Sequence, residues 1–119
     1  MMPYERFDAW QVCHKLVLAV YQATRSFPAS ERYGLRSQAR RAAFSAAANI
    51  AEGSAKRGVR EFRRYLDISI GSLSELAYAL RVSKDLGMLD RTRFEELDDL
   101  RNRAGQLTWQ LYRSLGDQR

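Results

Sequence analysis

The chain has few of the residues that support metal or redox chemistry. Its 119 residues include one cysteine, Cys13, and one histidine, His14. A single cysteine excludes an intrachain disulfide, and we therefore expect a reduced, cytoplasmic location. One histidine cannot supply the paired Glu-x-x-His motifs of a di-iron bundle, and no residues are spaced like zinc ligands. The sequence thus predicts no metal and no cofactor.

Catalytic constellations are also missing. Cys13 and His14 are adjacent, and adjacent residues on a helix do not face each other, so they do not form a nucleophile–base pair. Gly53 and Gly58 are not followed by the lysine and hydroxyl residue of a phosphate-binding loop. We find no catalytic residues and predict that the protein is not an enzyme.

Long apolar runs and prolines are scarce. No run of 18 apolar residues occurs, so we expect no membrane-spanning segment. The first residues lead into charged sequence rather than an apolar core, so we expect no secretory signal. Pro3 and Pro28 are the only prolines and lie outside the long periodic stretches, which leaves most of the chain free to form helices.

Apolar residues recur every three or four positions over most of the chain, which predicts amphipathic helices. The predicted helices cover about residues 9–26, 35–55, 59–86 and 93–115. The linkers are short, which favours antiparallel neighbours. We predict one all-α domain over residues 1–119, an antiparallel up-and-down four-helix bundle.

Two predicted helices begin with capping-box patterns. Asp8 with Gln11 is placed to cap the first helix, and Thr92 with Glu95 to cap the fourth.

Two polar residues fall on or near the alanine-rich face of the second predicted helix. Asn49 shares a face with Gly53, and a buried amide there can fix helix register; a ligand contact is the alternative. Glu52 is placed to pair with Lys56 one turn later, or with an arginine of the third helix. We interpret Asn49 and Glu52 as structural polar residues.

The third predicted helix has a second apolar face opposite its main seam. The main seam comprises Phe62, Leu66, Ser69, Leu73, Leu76 and Leu80. The second face contains Ile68, Gly71, Tyr78 and Val82. A glycine in mid-helix costs about 1 kcal/mol relative to alanine, which makes sense where another backbone packs closely. The apolar stripe of the first predicted helix comprises Trp10, Cys13, Val17, Val20, Thr24 and Phe27, and Leu16 lies off this stripe. We predict a homo-oligomer with this face as its interface; a thicker core or scattered surface apolar residues is the alternative.

The net charge of +6 is concentrated in one segment. Between Arg36 and Arg64, eight basic residues oppose two acidic ones, and the other basic and acidic residues of the chain cancel. The eight are Lys56, Arg57, Arg60, Arg63 and Arg64, which we expect in one patch, and Arg36, Arg40 and Arg41 in a separate cluster. Such an excess indicates a polyanionic partner; a solvated surface is the alternative.

Several motifs resemble a known family. They include Phe27-Pro28, Glu31-Arg32-Tyr33-Gly34-Leu35, Arg40-Arg41-Ala42-Ala43, Asn49-Ile50-Ala51-Glu52-Gly53, Glu61-Phe62, Gly71-Ser72 and Leu86-Gly87. In these residues the chain resembles the bacterial 23S rRNA intervening sequence proteins, over about Trp10 to Leu115.

The resemblance implies a four-helix bundle that assembles as a homopentamer. It also implies a distant relation to the accessory protein of diversity-generating retroelements, a basic pentamer that binds nucleic acid and a reverse transcriptase. The family name records the location of genes within inserts of ribosomal RNA genes, and it assigns no activity.

The resulting hypothesis is a non-enzymatic, oligomeric protein that binds nucleic acid. Tyr33, Phe62 and Tyr65 lie near the arginines, which favours RNA. The alternative is a protein-binding adaptor or scaffold whose basic patch meets an acidic partner.

Overall fold

The computed structural model describes residues 1–116, in which all regular structure is helical. The four α-helices are α1 (Asp8–Ala23), α2 (Leu35–Ser54), α3 (Val59–Asp85) and α4 (Arg91–Gly116). α1 packs against α2, α2 against α3, α3 against α4, and α4 against α1. This arrangement is elongated, at 48 × 23 × 22 Å. The predicted all-α class with four helices is confirmed.

The core runs along the middle of these helices. Its largest fully buried apolar side chains are Leu16, Val20, Ile50, Leu66, Leu76, Leu80 and Leu97. Leu16 is therefore a core residue, and its predicted position off the stripe of α1 was wrong. Trp10 and Val17 of that stripe lie at the edge of the core. The reason is that α1 contacts both α2 and α4, so a wide face is buried and its centre passes through Cys13 and Leu16.

The first helix begins differently from the capping-box prediction. Asp8 is the first helical residue, and Phe7 occupies the N-cap position without a side-chain hydrogen bond. The Gln11 amide instead donates to the Glu5 carbonyl oxygen at 2.9 Å. Gln11 thus ties the start of α1 to the preceding turn.

The fourth helix is capped by a residue that the sequence pattern did not indicate. Asp90 Oδ1 accepts a hydrogen bond from the Arg93 backbone N–H at 2.7 Å. Thr92 lies inside the first turn, since α4 starts at Arg91. An aspartate before the helix is as good a cap as threonine, and here it lies at the position from which it reaches a free N–H.

Small residues bring α2 and α3 close together. The Ser69 hydroxyl donates to the Ala46 carbonyl oxygen at 2.7 Å, and the Ser45 and Ser72 hydroxyls are 2.8 Å apart. A hydroxyl of α3 can reach a backbone carbonyl of α2 because alanine leaves that backbone uncovered. The alanines of α2 therefore allow α3 to pack closely, in addition to favouring the helical conformation.

Asn49 joins this contact from its own helix. Its Nδ2 donates to the Ser45 carbonyl oxygen at 2.8 Å and to the Ser45 hydroxyl at 3.0 Å. Asn49 therefore contacts Ser45 of its own helix, and Ser45 in turn makes the hydrogen bond to Ser72 of α3. The role of Asn49 in helix register stays a prediction. The expected Glu52–Lys56 ion pair is not among those formed within residues 1–116.

Gly53 lies where side chains of α3 closely approach the backbone of α2. A Cβ atom at Gly53 would lie 2.7 Å from Tyr65 Cβ and 3.0 Å from Phe62 Cδ1. Real Cβ atoms do not approach this closely, so only glycine allows α2 and α3 to pack here without movement. In contrast, a Cβ at Gly71 or Gly105 would meet nothing within 4 Å of the same chain.

We therefore expect Gly53→Ala to lower the free energy of unfolding by about 1–2 kcal/mol, because overpacking outweighs the gain in helix propensity. Gly105→Ala is the matched control and should raise it by about 0.5–1 kcal/mol, since only the propensity changes. Urea unfolding followed by circular dichroism measures both. Equal stability of Gly53→Ala and the wild type would show that the helices separate easily at this point.

Candidate nucleic-acid interface

The basic residues of the charged segment form two groups near the two ends of α2. We call Arg36, Arg40 and Arg41 the α2 cluster. The α3 cluster comprises Lys56, Arg57, Arg60, Arg63 and Arg64. A rise of 1.5 Å per residue separates the two ends of α2 by about 27 Å. The clusters are therefore separate surfaces, as the sequence suggested.

The α3 cluster begins in the turn between α2 and α3. Lys56 and Arg57 are exposed there, and Gly58 precedes α3 with φ of 85°, a conformation that side chains disfavour. Arg60 follows, exposed, in the first turn of α3. The turn thus presents three cations to solvent within five residues.

Tyr65 carries two members of this cluster on its ring. The Arg64 guanidinium lies 4.7 Å from the ring centroid and the Lys56 ammonium 5.5 Å. Arg64 also pairs with Glu61 at 3.3 Å. Contacts with the ring and with Glu61 hold Arg64 in place, and Glu61 offsets part of its charge.

Arg63 belongs to the packing between α3 and α4. Its guanidinium stacks 4.1 Å from the Tyr112 ring centroid, and its Nε is buried with no hydrogen-bond partner within residues 1–116. Beside it lies an open groove of about 780 Å³, which Arg60, Arg64 and two carboxylates, Glu61 and Asp67, also line. The acidic residues reduce the positive field of this groove.

Arg40 of the α2 cluster anchors the end of α1. Its Nε donates to Thr24 Oγ1 at 2.8 Å and its Nη2 to the Tyr21 carbonyl oxygen at 3.1 Å. The guanidinium also lies 4.5 Å from the Tyr21 ring centroid. Burial, followed by repulsion from Arg36 and Arg25, lowers the pKa of Arg40. It remains a cation, held among other cations.

A second groove, of about 390 Å³, surrounds Arg40. We call it the arginine–tyrosine groove; it is lined by Tyr21, Arg32, Tyr33, Arg36, Ser37, Arg40 and Arg41. Sequence reasoning missed Arg32, because the charge excess was counted from Arg36. Helical spacing could not have identified it, because Arg32 lies in the turn before α2; the available signal was its closeness in sequence to Arg36.

The four predicted interface residues remain on the surface of α3. Tyr78 is 73% exposed and Ile68 42% exposed, Gly71 is exposed, and Val82 is half-buried. Their spacing puts them on one face of the helix. Their role as an interface stays a prediction.

Another apolar surface, which the sequence did not indicate, lies between α1 and α2. It is a groove of about 520 Å³ lined by Tyr4, Trp10, His14, Val17, Phe44, Ala47, Ala48, Ala51 and Glu52. Phe44 is 60% exposed, and His14 stacks on Trp10 with ring centroids 4.9 Å apart. The apolar stripe of α1 suggested that Trp10 belongs to the core, whereas its ring lines this groove.

The described residues contain no arrangement suited to catalysis by Cys13 and His14. Cys13 is fully buried and its Sγ lies 4.0 Å from Thr108 Oγ1, whereas His14 is exposed on Trp10. Within residues 1–116, no group of three His, Cys, Asp or Glu side chains is placed to hold a metal ion. None of the described helices has the length and apolarity needed to cross a membrane.

The fold and the surface define an all-α protein of four helices with a strongly basic, arginine-rich segment. Residues 5–110 match the 23S rRNA-intervening sequence proteins, and the chain belongs to that family. This confirms the resemblance inferred from the sequence motifs. The family description assigns no activity, and no curated protein gives a significant match to the chain.

The fold is similar to that of a solved structure. It is the crystal structure of a protein of unknown function from the S23 ribosomal protein family of Bacteroides thetaiotaomicron VPI-5482. The two chains share 16% identity, with a TM-score of 0.78 over 87% of this chain and 97% of the other. At this identity the likeness shows the fold alone.

The burial of Cys13 leads to a prediction about its reactivity. Burial raises the pKa of the thiol to about 11, against a smaller opposing effect of the Thr108 hydroxyl. The ordinary pKa of the thiol is 9.0, two pH units lower, so at pH 8 the thiolate fraction should fall by about 100-fold on folding. The reaction of the native protein with Ellman's reagent should be slower than that of the urea-unfolded chain by at least this factor. Equal rates would place the thiol at the surface.

The same shift makes stability depend on pH. The folded protein favours the neutral thiol, so this contribution to stability is fully present below the unfolded pKa and is lost as pH rises toward about 11. Comparison with Cys13→Ala isolates the effect from tyrosine ionisation. The stability difference between wild type and Cys13→Ala should shrink by about 2 kcal/mol between pH 8.5 and 11.

Proposed function

We propose that the protein binds nucleic acid, RNA in particular, through its two basic clusters and without catalysis. The main observation in support of nucleic-acid binding is the distribution of ion pairs. Within residues 1–116, Arg64 alone of the eight cluster residues pairs with an acidic residue. The other ion pairs are Arg81–Asp85, Arg91–Glu95 and Arg101–Asp98, all outside the segment. The other seven cations of the clusters have no ion pair within residues 1–116, so their charge is not offset by a paired carboxylate and an external polyanion can neutralise it.

We further infer that the four helices run antiparallel in up-and-down order. The support is the pairing of contacts between α2 and α3, since Ser45 meets Ser72 and Gly53 adjoins Tyr65. Residue numbers fall along α3 as they rise along α2. In this arrangement the α3 cluster and the arginine–tyrosine groove occupy opposite ends of the bundle, and one nucleic acid strand would have to follow its long axis to contact both.

Self-association is the second part of the proposal. The apolar face of α3 and the groove between α1 and α2 are two exposed apolar surfaces on different sides of one protomer, and such surfaces favour association. Family membership suggests the homopentamer as the assembly. A ring would repeat each basic cluster and increase the local charge that a polyanion meets.

We expect light scattering at micromolar concentration to give several times the monomer mass of 13.7 kDa. Gly71→Leu should reduce this mass, because a larger side chain would separate the α3 faces. Gly105→Leu is the matched control: a Cβ has open space in both positions, but Gly105 lies outside the proposed interface. A monomer mass for the wild type would contradict the association. An unchanged mass for Gly71→Leu would show that Gly71 does not lie in the interface.

RNA binding should weaken steeply with salt, because each neutralised phosphate on a single strand contributes about −0.7 to the log–log slope. Arg57→Gln with Arg60→Gln should make this slope shallower by about 1.4, because both residues are exposed and neither has an ion pair within residues 1–116. Arg63 is left unchanged, since it packs on Tyr112. Fluorescence anisotropy titrations at several salt concentrations measure the slope.

The charge-matched control is Arg101→Gln with Arg103→Gln on α4. Arg101 already pairs with Asp98 at 3.0 Å, so this pair should change the slope much less. Equal changes from the two double variants would mean that net charge alone governs binding. Absence of binding to RNA and DNA at low salt would contradict the proposal and favour an adaptor for an acidic protein.

A further inference from the structure

We propose that the arginine–tyrosine groove binds single-stranded RNA, with its arginines on the phosphates and an unpaired base stacked on Tyr33. The inference rests on the proposed function. It adds the location of the site and the form of nucleic acid that the site recognises.

The groove is basic without acidic residues in its lining. Arg32, Arg36, Arg40 and Arg41 line it, whereas the groove beside α3 includes Glu61 and Asp67. The acidic residue nearest in sequence is Glu31, whose Oε1 accepts a hydrogen bond from the Leu35 backbone N–H at 2.9 Å. That carboxylate is engaged at the start of α2. Arg41 also lines a neighbouring groove together with Glu75, but no carboxylate lines the arginine–tyrosine groove itself. The positive field in this groove is therefore less offset than that beside α3.

Arg40 gives the groove a fixed cation. Its guanidinium donates one hydrogen bond to Thr24 and one to Tyr21, and it lies over the Tyr21 ring. A guanidinium has five N–H donors, so three remain. A side chain already held by the fold loses little conformational entropy when it binds an anion.

The arginines around Arg40 favour the binding of an anion in the groove. Burial first, and then repulsion from Arg36 and Arg25, lowers the pKa of Arg40, which lies over the Tyr21 ring among these cations. A phosphate placed among these arginines would relieve that repulsion, and guanidinium groups match phosphate oxygens in geometry.

Tyr33 distinguishes this groove from the α3 cluster. Its side chain is 85% exposed, and the Arg32 guanidinium lies 5.5 Å from its ring centroid. Tyr65 of the α3 cluster is half-buried and already contacts Arg64 and Lys56. An exposed aromatic ring beside arginines is the combination that binds unpaired bases by stacking.

Single strands fit this combination better than duplexes do. In a duplex the base faces are stacked on one another, and only the phosphates and groove edges reach a protein. The arginines would bind either form, but Tyr33 gains a contact with an unpaired base alone. The groove should therefore prefer single-stranded RNA to paired RNA.

The test uses fluorescein-labelled oligoadenylate and the same strand annealed to oligouridylate, titrated with the full chain and followed by anisotropy. Tyr33→Ala should weaken binding of the single strand by about tenfold, the loss of one stacked base, and change duplex binding little. Tyr33→Phe keeps the ring and should bind as the wild type does. Neither change should alter the salt slope, because neither removes a charge.

Arg36→Gln with Arg41→Gln should reduce the salt slope for the single strand by about 1.4. Arg40 is left in place because it anchors α1. Circular dichroism should show unchanged helicity for each variant, so that lost binding cannot be assigned to unfolding.

The outcomes separate this inference from the proposed function. If Arg57→Gln with Arg60→Gln weakens binding while all groove variants bind like the wild type, the groove is not the site but RNA binding stands. If Tyr33→Ala weakens single-strand and duplex binding equally, the preference for unpaired bases is wrong. If the wild type binds neither probe at low salt, the proposed function and this inference both fall.

Discussion

The close packing of α2 against α3 is the constraint on which the rest of the structure depends. It exists because Gly53 has no side chain where Tyr65 and Phe62 approach, and because alanine leaves the Ala46 carbonyl accessible to Ser69. At such separations a single added methyl group is felt, since protein interiors are packed about as densely as organic crystals. The start of α3, and the arginines it carries, are positioned by this contact.

The arginines of the protein divide into those that the fold uses and those that it leaves free. Arg63 packs on Tyr112, Arg40 holds the end of α1, and Arg101 pairs with Asp98. Arg57 and Arg60 are exposed, with no ion pair within residues 1–116. A count of charge along the sequence treats all of them alike. Removing a packed arginine costs contacts as well as charge.

Much of the fold could be predicted from the sequence, because helical periodicity is strong in this chain. The buried leucines of α3, from Leu66 to Leu80, lie on the seam that their spacing indicated. The orientation of α1 could not be predicted as well: its apolar residues cover a wide arc, and only contact with both α2 and α4 decides that Leu16 is central and Trp10 peripheral. Capping was ambiguous for a similar reason, since Asp90 and Thr92 are both suitable residues two positions apart.

The candidate site was predictable in charge but not in shape. The separation into two clusters follows from helix length, which sequence spacing gives directly. The arginine–tyrosine groove needs the fold, because Tyr21 comes from α1, Arg32 and Tyr33 from the connecting turn, and Arg36 from α2. No local pattern brings these three segments together.

Arg40 has a consequence for the dynamics of the molecule. The last turn of α1 and the short turn after it, up to Ser26, depend on hydrogen bonds that Arg40 donates to Tyr21 and Thr24. Local opening of this helix end would release Arg40 and dismantle the groove at the same time. A ligand that binds only the intact groove therefore shifts the equilibrium of this helix end toward its closed state. A ligand bound in the arginine–tyrosine groove would therefore slow amide hydrogen exchange in the last turn of α1, although it does not contact those amides.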